Sequence, residues 1–406
     1  MKKFFFIFVP LILIALFAWL YLRNGNSPLV ETLNGGLPFG SADGVNIPAS
    51  DSTDTVGQTT NFDQNVAADT KVFRLANTPI AGFTTFTRGK DSVVRFMDRA
   101  TGHIFDITLP KEGEVATLEK VRVTNNTLPK IYEAYFSPNG NTVLTRSLEG
   151  DTDAIKNITL TLTPPRATSS AELYGVSATN LRGDIDSIAV GASGNLFYNL
   201  GDTGSIISSS FTGTGVKTLF SSAFTNWRLG RMGNNLLVST KASSLVSGYA
   251  YSLSANGGSL TKLAGPLNGL VAVANPTGNL LLYSYIDNGQ TKLFSKNISK
   301  NTTSEILPAT LAEKCIWSVK QASVFYCGTP VESISGAEPD NWYLGRSHFT
   351  DYIWQFDTNT EIAKLIAEPK TESSLDLDVS DPKLSPNEDY LIFINHTDLT
   401  LWAVRI

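Results

Sequence analysis

Histidine, cysteine and methionine are almost missing from this 406-residue chain, which has 3 His, 2 Cys and 3 Met. Three histidines without i, i+4 spacing make no zinc-protease helix, and two thiols with no neighbouring His make no structural zinc site. Charge is scarce too, at 17%, against roughly 25% in ordinary globular chains. The net charge of −5 comes with no block of Lys or Arg. The basic footprint that neutralises phosphate is therefore absent, which excludes nucleic-acid binding as a function class. No glycine-rich phosphate loop and no serine-nucleophile motif occurs, and no long stretch of the body has helical period. No cofactor is implied and no catalytic set converges.

Ser, Thr, Asn and Gly are plentiful instead, as on an extracytoplasmic surface. At the amino terminus Lys2 and Lys3 precede an uncharged run from Phe4 to Leu22, closed by Arg23. As a helix this run is roughly 28 Å long, against a hydrocarbon core of about 30 Å. Pro10 can kink such a helix without breaking it. A cleaved secretory signal is the competing reading, but Trp19-Leu20-Tyr21-Leu22 is too bulky for a small-x-small cleavage site. Gly25-Asn26-Ser27 is followed directly by Pro28. Residues 1–23 are thus read as a single-pass anchor in the cell membrane, with Lys2 and Lys3 inside and the body outside. Residues 24–70 carry isolated apolar positions without period and read as a flexible linker. An ordered extension docking through Leu33, Leu37, Pro38 and Phe39 is the alternative.

Residues 71–406 repeat themselves. A short apolar strand, a small polar turn and a stronger apolar strand recur around Ser137-Pro138-Asn139-Gly140-Asn141, Gly191-Ala192-Ser193-Gly194-Asn195 and Asn275-Pro276-Thr277-Gly278-Asn279. Weaker copies are Gly230-Arg231-Met232-Gly233-Asn234 and Ser385-Pro386-Asn387-Glu388-Asp389. Pro presets φ in such turns, and Gly or Asn accepts positive φ. Units of roughly 40 to 50 residues with four strands each are the pattern of a β-propeller. To these five, one unit before Ser137 (Thr78 to Val123) and one more in the long gap before Ser385, around the strand Ser323 to Cys327, bring the number to seven. The last unit ends with a third strand, Leu399 to Ile406. Lys71 to Leu75, a strand with no other place, is expected to complete that unit and close the ring. The expected fold class is all-β, a seven-bladed β-propeller closed by an N-terminal strand; a large β-sandwich is the alternative. The phrases at Ser137 to Asn141 and Ser385 to Asn387, each followed by an apolar strand, resemble those of TolB-like and WD-repeat-like propellers of bacterial membrane-anchored type.

Cys315-Ile316-Trp317-Ser318-Val319 and Ser323-Val324-Phe325-Tyr326-Cys327 read as a hairpin around Lys320-Gln321-Ala322. The register that sets Val319 opposite Ser323 also sets Cys315 opposite Cys327, on one side of the hairpin. A disulfide suits an oxidising exterior; two buried free thiols are the alternative. Gly328 to Asp351 then interrupt the same unit. A loop so long is usually functional or disordered; its aromatic content argues against disorder, and Trp342, Tyr343, Arg346 and Phe349 are residue types that anchor interfaces, so these four are the candidate partner-binding residues. A plug packed over the neighbouring blade is the rival reading. His103, His348 and His396 fall in equivalent connections of adjacent units, with Asp98, Asp340 and Asp398 nearby, and are the candidates should a metal bind. Asp184 and Asp186 share one side of an inner strand and could line the channel as paired carboxylates. The expectation is a membrane-anchored, extracytoplasmic scaffold that binds a protein or envelope polymer. The alternative is an envelope glycan or peptide hydrolase or lyase with carboxylates on the channel face.

Overall fold

Each repeated phrase turns on a residue with positive φ. Gly140, Gly194, Gly233 and Gly278, fourth in their phrases, have φ of 70°, 79°, 58° and 75°. The N–H groups of Gly140, Gly194 and Gly278 donate to the carbonyls of Ser137, Gly191 and Asn275, three residues back, at 2.8, 3.0 and 2.9 Å. Glu388 holds the same place with φ 54° and donates to the Ser385 carbonyl at 2.8 Å. A left-handed residue with a Cβ costs about 1 kcal/mol or more. The Glu388 carboxylate offsets this by accepting from Ser318 Oγ and Val319 N at 2.6 Å and Lys320 N at 3.0 Å, which ties its turn to the neighbouring unit.

The computed structural model describes residues 60–406 except 112, 150, 151, 153 and 167–172. The expected anchor, 1–23, and linker residues 24–59 lie outside the described residues. Among the described residues no helix is long and apolar enough to cross a membrane.

Seven antiparallel sheets form the propeller, each described from its first, inner strand outward. Blade 1 is Ile80–Arg88, Asp91–Asp98, Ile104–Thr108 and Ala116–Arg122, with Thr60–Val66 added on the outside. Blade 2 is Ile131–Phe136, Thr142–Leu148, Ile155–Thr163 and Gly175–Asn180, and blade 3 is Ile185–Val190, Leu196–Leu200, Ile206–Ser209 and Lys217–Phe220. Blade 4 is Trp227–Met232, Asn235–Thr240, Ser247–Ser254 and Thr261–Asn268, and blade 5 is Val271–Ala274, Leu280–Asp287, Gln290–Asn297 and Thr302–Glu305. Blade 6 is Cys315–Trp317, Val324–Pro330, Asp351–Asp357 and Ile362–Ala367. Blade 7 is Val379–Leu384, Tyr390–Asn395, Leu401–Arg405 and Val72–Ala76. In this last sheet Val72 pairs with Val404 and Ala76 with Leu401, so residues from both ends of the described chain share it.

The segment read as flexible through residue 70 differs at its end. Thr60–Val66 pairs with Ala116–Arg122, the outer strand of blade 1, and Val66 is fully buried. An outer strand offers unpaired backbone groups, and any extended segment can satisfy them. The sequence from Thr60 to Val66 has no apolar alternation that would announce a strand.

Burial follows position within a blade. Tyr390–Asn395, a second strand, is buried at every residue because neighbouring blades cover both its faces. Thr302–Glu305, a fourth strand, is exposed throughout. The apolar clusters lie between blades, one at each junction around the ring. At the junction of blades 7 and 1, Phe73, Leu75, Phe83, Phe96 and Tyr390 pack together; full burial of such side chains contributes roughly 1.5–3 kcal/mol each.

Candidate functional site: the insertion face of blades 4 to 7

The chain between Pro330 and Asp351 crosses the propeller instead of forming a hairpin. It first runs along the tip of blade 5, where Gln290 and Ser335 form a bridge and Thr291 N donates to the Ile334 carbonyl at 3.1 Å. It then reaches blade 4. A one-turn helix, Asp340–Tyr343, sets Asp340 Oδ2 against Ser244, accepting from its backbone N and its hydroxyl, each at 2.7 Å. Finally the chain returns across blade 7 before re-entering blade 6. Gly328, in the strand that leads out, lies so close to blade 7 that a Cβ there would come within 2.5 Å of Val379 and 2.8 Å of Asp351 Oδ2.

The insertion is fastened from beneath by a buried ammonium. A 3-10 turn, Ala312–Lys314, precedes the first strand of blade 6, with Ala312 N bonded to Ser284 Oγ at 2.9 Å. Lys314 is fully buried; its Nζ donates to Asp378 Oδ1 and lies 2.8 Å from Asp351 Oδ2. The rings of Trp342 and Phe349 face the same ammonium, each at 5.1 Å. Asp378 Oδ2 accepts from Trp342 Nε1 at 2.9 Å and Phe349 N at 3.1 Å. One carboxylate on blade 7 thus holds two residues of the insertion through charge-assisted bonds, which are about twice as strong as neutral ones. Burial pushes the Asp351 carboxyl up to about 6, opposed by Lys314.

Glu313, the neighbour of Lys314, faces the other way into a pocket of about 470 Å³ between blades 4 and 5 and the insertion. The pocket is lined by Arg228 and Lys241 and by the apolar Leu237, Leu270 and Val271. Tyr343 closes one side, donating its hydroxyl to Glu313 Oε1 at 2.6 Å. Burial pushes Glu313 up to about 7, against the lowering effects of the Tyr343 bond, Lys314 and Arg228. Loss of water around its hydroxyl at the pocket wall, and the adjacent Glu313, raise Tyr343 well above the usual phenol range, while the residue as a whole stays 40% exposed. A carboxyl poised near neutrality beside a phenol can exchange a proton with a bound molecule.

The candidate residues from the sequence divide. Cys315 and Cys327 are directly opposite and form a disulfide. Of the four proposed anchors, Trp342 is only 4% exposed and is held by Asp378, so it is not displayed to a partner. That corrects the expectation; the physical reason is an indole N–H whose acceptor lies beneath the loop. Phe349 is partly buried against Leu311, Ile334 and Trp342. Tyr343 and Arg346 are exposed. His348 and His396 come together with ring centroids 5.9 Å apart, and each offers a nitrogen within 4.8 Å of the other and of an Asp378 oxygen. His103 is not part of that group; it sits on blade 1 beside Arg122, 2.6 Å from Nδ1, and Thr127. The trio has the residue types of a metal site, but Asp378 already serves Lys314, Trp342 and Phe349, and a cation would have to displace them. His396 instead stacks on Trp342 at 4.3 Å, and burial holds its imidazole below the usual value, with Asp378 opposing and Lys314 and His348 adding to the lowering.

The aspartates near the histidines serve other ends. Asp98 accepts from Ala100 N, Thr101 N and both Thr101 and Thr78 hydroxyls. Asp398 accepts from Asn395 Nδ2 and from the backbone N and hydroxyl of Thr400. Both organise turns. Asp184 is paired with Arg182 and Asp186 lies 3.7 Å from Arg228, so each of the two carboxylates has its own guanidinium partner. Sequence reasoning missed Glu313, Lys314, Arg228, Lys241, Asp351 and Asp378. Only the Glu313-Lys314 dipeptide before an apolar strand was a signal, and such a pair ordinarily reads as a solvated turn.

No family model matches the chain, and no curated protein matches it. Solved structures do. YCF48 bound to a D1 peptide is 10% identical, with 83% of this chain and 96% of that one covered and a TM-score of 0.50. A catalytically inactive virginiamycin B lyase from Staphylococcus aureus with quinupristin is 12% identical, with 83% and 99% covered and a TM-score of 0.49. TolB from Acinetobacter baumannii is 12% identical, with 68% and 63% covered and a TM-score of 0.42. At these identities the likeness is one of fold: the chain is a seven-bladed β-propeller whose structural neighbours include TolB.

Proposed function

We propose that this chain is a membrane-tethered, extracytoplasmic propeller whose insertion face binds a protein partner, an envelope polymer being the other occupant of the same class of role. One observation carries the reading. Leu245, Val246, Tyr343 and Leu344 are 85%, 64%, 40% and 63% exposed and come from two loops that Asp340 joins at Ser244. Leu344 follows Asp340 by one helical turn, so it shares that side of the helix. Scattered exposed apolar residues are ordinary, whereas a grouped set marks an interaction surface. Here the short helix that carries Tyr343 is also fixed in place through Trp342 by the buried Lys314 and Asp378, which lowers the ordering cost of association. YCF48, a propeller with a bound peptide, supports the kind of role, although fold alone does not give function. The tether is the run Phe4 to Leu22 behind Lys2 and Lys3.

The test is photo-crosslinking of the full-length protein in its own membranes, comparing wild type with Leu245→Asp plus Leu344→Asp. Loss of the crosslinked partner at an unchanged melting temperature is expected; undiminished crosslinking overturns the reading. Protease added outside intact cells should digest the propeller, and protection of it would reverse the orientation. Glu313 favours a second reading, an envelope glycan or peptide lyase or hydrolase, because its carboxyl sits near neutrality in a pocket. Turnover by wild type that Glu313→Gln abolishes would establish it.

A further inference from the structure

The pocket beside the apolar group has a wall in two parts. Its floor is apolar, with Leu237, Leu270, Val271 and Ala242 buried there. Its mouth carries the exposed side chains of Arg228 and Lys241. Arg228 faces Glu313 across the pocket and lies 3.7 Å from Asp186; the Arg228–Asp186 pair is exposed on both sides, is worth little and yields readily to a better anion. The one acidic residue lining the pocket is Glu313. A purely apolar ligand would leave the cations unused, and an uncharged sugar would leave the floor unfilled.

We infer that this pocket takes a free carboxylate attached next to an apolar side chain, as at the C-terminus of a peptide, with the side chain on the Leu237, Leu270 and Val271 floor and the carboxylate between Arg228 and Lys241. The inference rests on the binding-face reading and names what that face recognises. Guanidinium and ammonium groups bind a carboxylate through charge-assisted hydrogen bonds, and Arg does so in a two-pronged geometry. Glu313 makes the binding sensitive to pH. The groups facing it are Tyr343 from the insertion, Lys314 from its own turn and Arg228 from blade 4, with Lys241 in the same pocket. A second carboxylate entering beside it favours its protonated form, so binding takes up a proton and weakens as pH rises through neutrality.

Three probes test this by calorimetry on the full-length protein in detergent: acetyl-Ala-Ala-Leu with a free C-terminal acid, the same peptide as its amide, and acetyl-Ala-Asp-Leu amide. The free acid is expected to bind about tenfold tighter than the amide. Arg228→Gln and Lys241→Gln, both at exposed positions, should each remove most of that preference. Glu313→Gln should flatten the pH dependence between pH 6 and 8. Equal binding of the Asp-Leu amide and the free acid would assign the carboxylate to an acidic side chain and still support the inference. Equal, weak binding of all three probes overturns it. Partner crosslinking that is lost in the Leu245 and Leu344 variant but intact in Arg228→Gln plus Lys241→Gln would sink the carboxylate inference alone. Crosslinking intact in both would sink the binding face as well.

Discussion

Lys314 shows how much one residue can hold at this site. It is fully buried between Asp351 and Asp378, and Asp378 in turn holds Trp342 and Phe349. Lys314→Met should leave two buried carboxylates without their cation and cost about 3–5 kcal/mol, read as a fall in the denaturation midpoint. Trp342→Ala should cost a similar amount, about 3–5 kcal/mol, whereas Tyr343→Ala, at an exposed position, should cost about 1 kcal/mol or less. Equal losses from the two would mean that Tyr343 is also part of the plug. Glu313 sets a pH dependence whose sign is fixed by its direction. With its carboxyl raised to about 7, the folded protein binds more protons than the unfolded chain between roughly pH 4.5 and 7, so this contribution is lost as pH rises through that window. Glu313→Gln should therefore gain stability relative to wild type from pH 5 to 8, by about 1–2 kcal/mol once partial exposure is allowed for. Chemical denaturation at those two pH values measures it, and a constant difference would show that Glu313 is ionised throughout. Trp342 was legible as a candidate anchor, but neither Lys314 nor Asp378, which hold it, was legible as part of a site. Lys, Asp and Trp far apart in sequence become one group only when blades 6 and 7 pack.

At the scale of elements, the hairpin of blade 6 was legible and the loop that follows it was only partly so. Register in an antiparallel pair is integer arithmetic, so Cys315 opposite Cys327 followed from the turn between them. Replacing both with Ser should cost about 2–3 kcal/mol in the loop-entropy account, seen as a lower melting temperature under non-reducing conditions; no change would mean that the packing around Cys327, itself fully buried, suffices without the bond. The aromatic content of residues 331–350 announced an ordered loop. Which of its aromatics face inward depended on where Asp378 lies, and that carboxylate belongs to the next blade. Tyr343 and Trp342, adjacent in sequence and with ring centroids 5.9 Å apart, take different partners for this reason: Tyr343 meets Glu313 in the pocket and Trp342 meets Asp378 below.

For the whole molecule, the sheet shared by Val72–Ala76 and Leu401–Arg405 joins the first described residues of the ring to the last. Phe73 and Leu75 are fully buried at the junction of blades 7 and 1. Deleting Lys71 to Leu75 should lower the melting temperature and expose the edge of Leu401–Arg405 to pairing between molecules, measured by thermal denaturation and light scattering. An unchanged melting temperature with no association would show that the ring holds without this strand. Neighbouring blades touch all round the ring, so a loosened junction should also weaken its neighbours.

The sequence by itself determined the repeat, the seven blades and the turns between their inner strands, because these depend on local chemistry: glycine at positive φ, alternation with period two, and apolar second strands. It also determined that the two cysteines oppose each other. Thr60–Val66 escaped it because a strand added at an outer edge is chosen by the edge it covers and needs no pattern of its own. Tertiary structure decided the pocket. Arg228, Lys241 and Glu313 look ordinary in their own stretches of chain, and the loop composition that singled out Tyr343 gave no sign that it meets them. Closing a ring brings inner strands and crossing loops to one face irrespective of their separation in sequence, and only there does Glu313 lose enough water for its carboxyl to move toward neutrality.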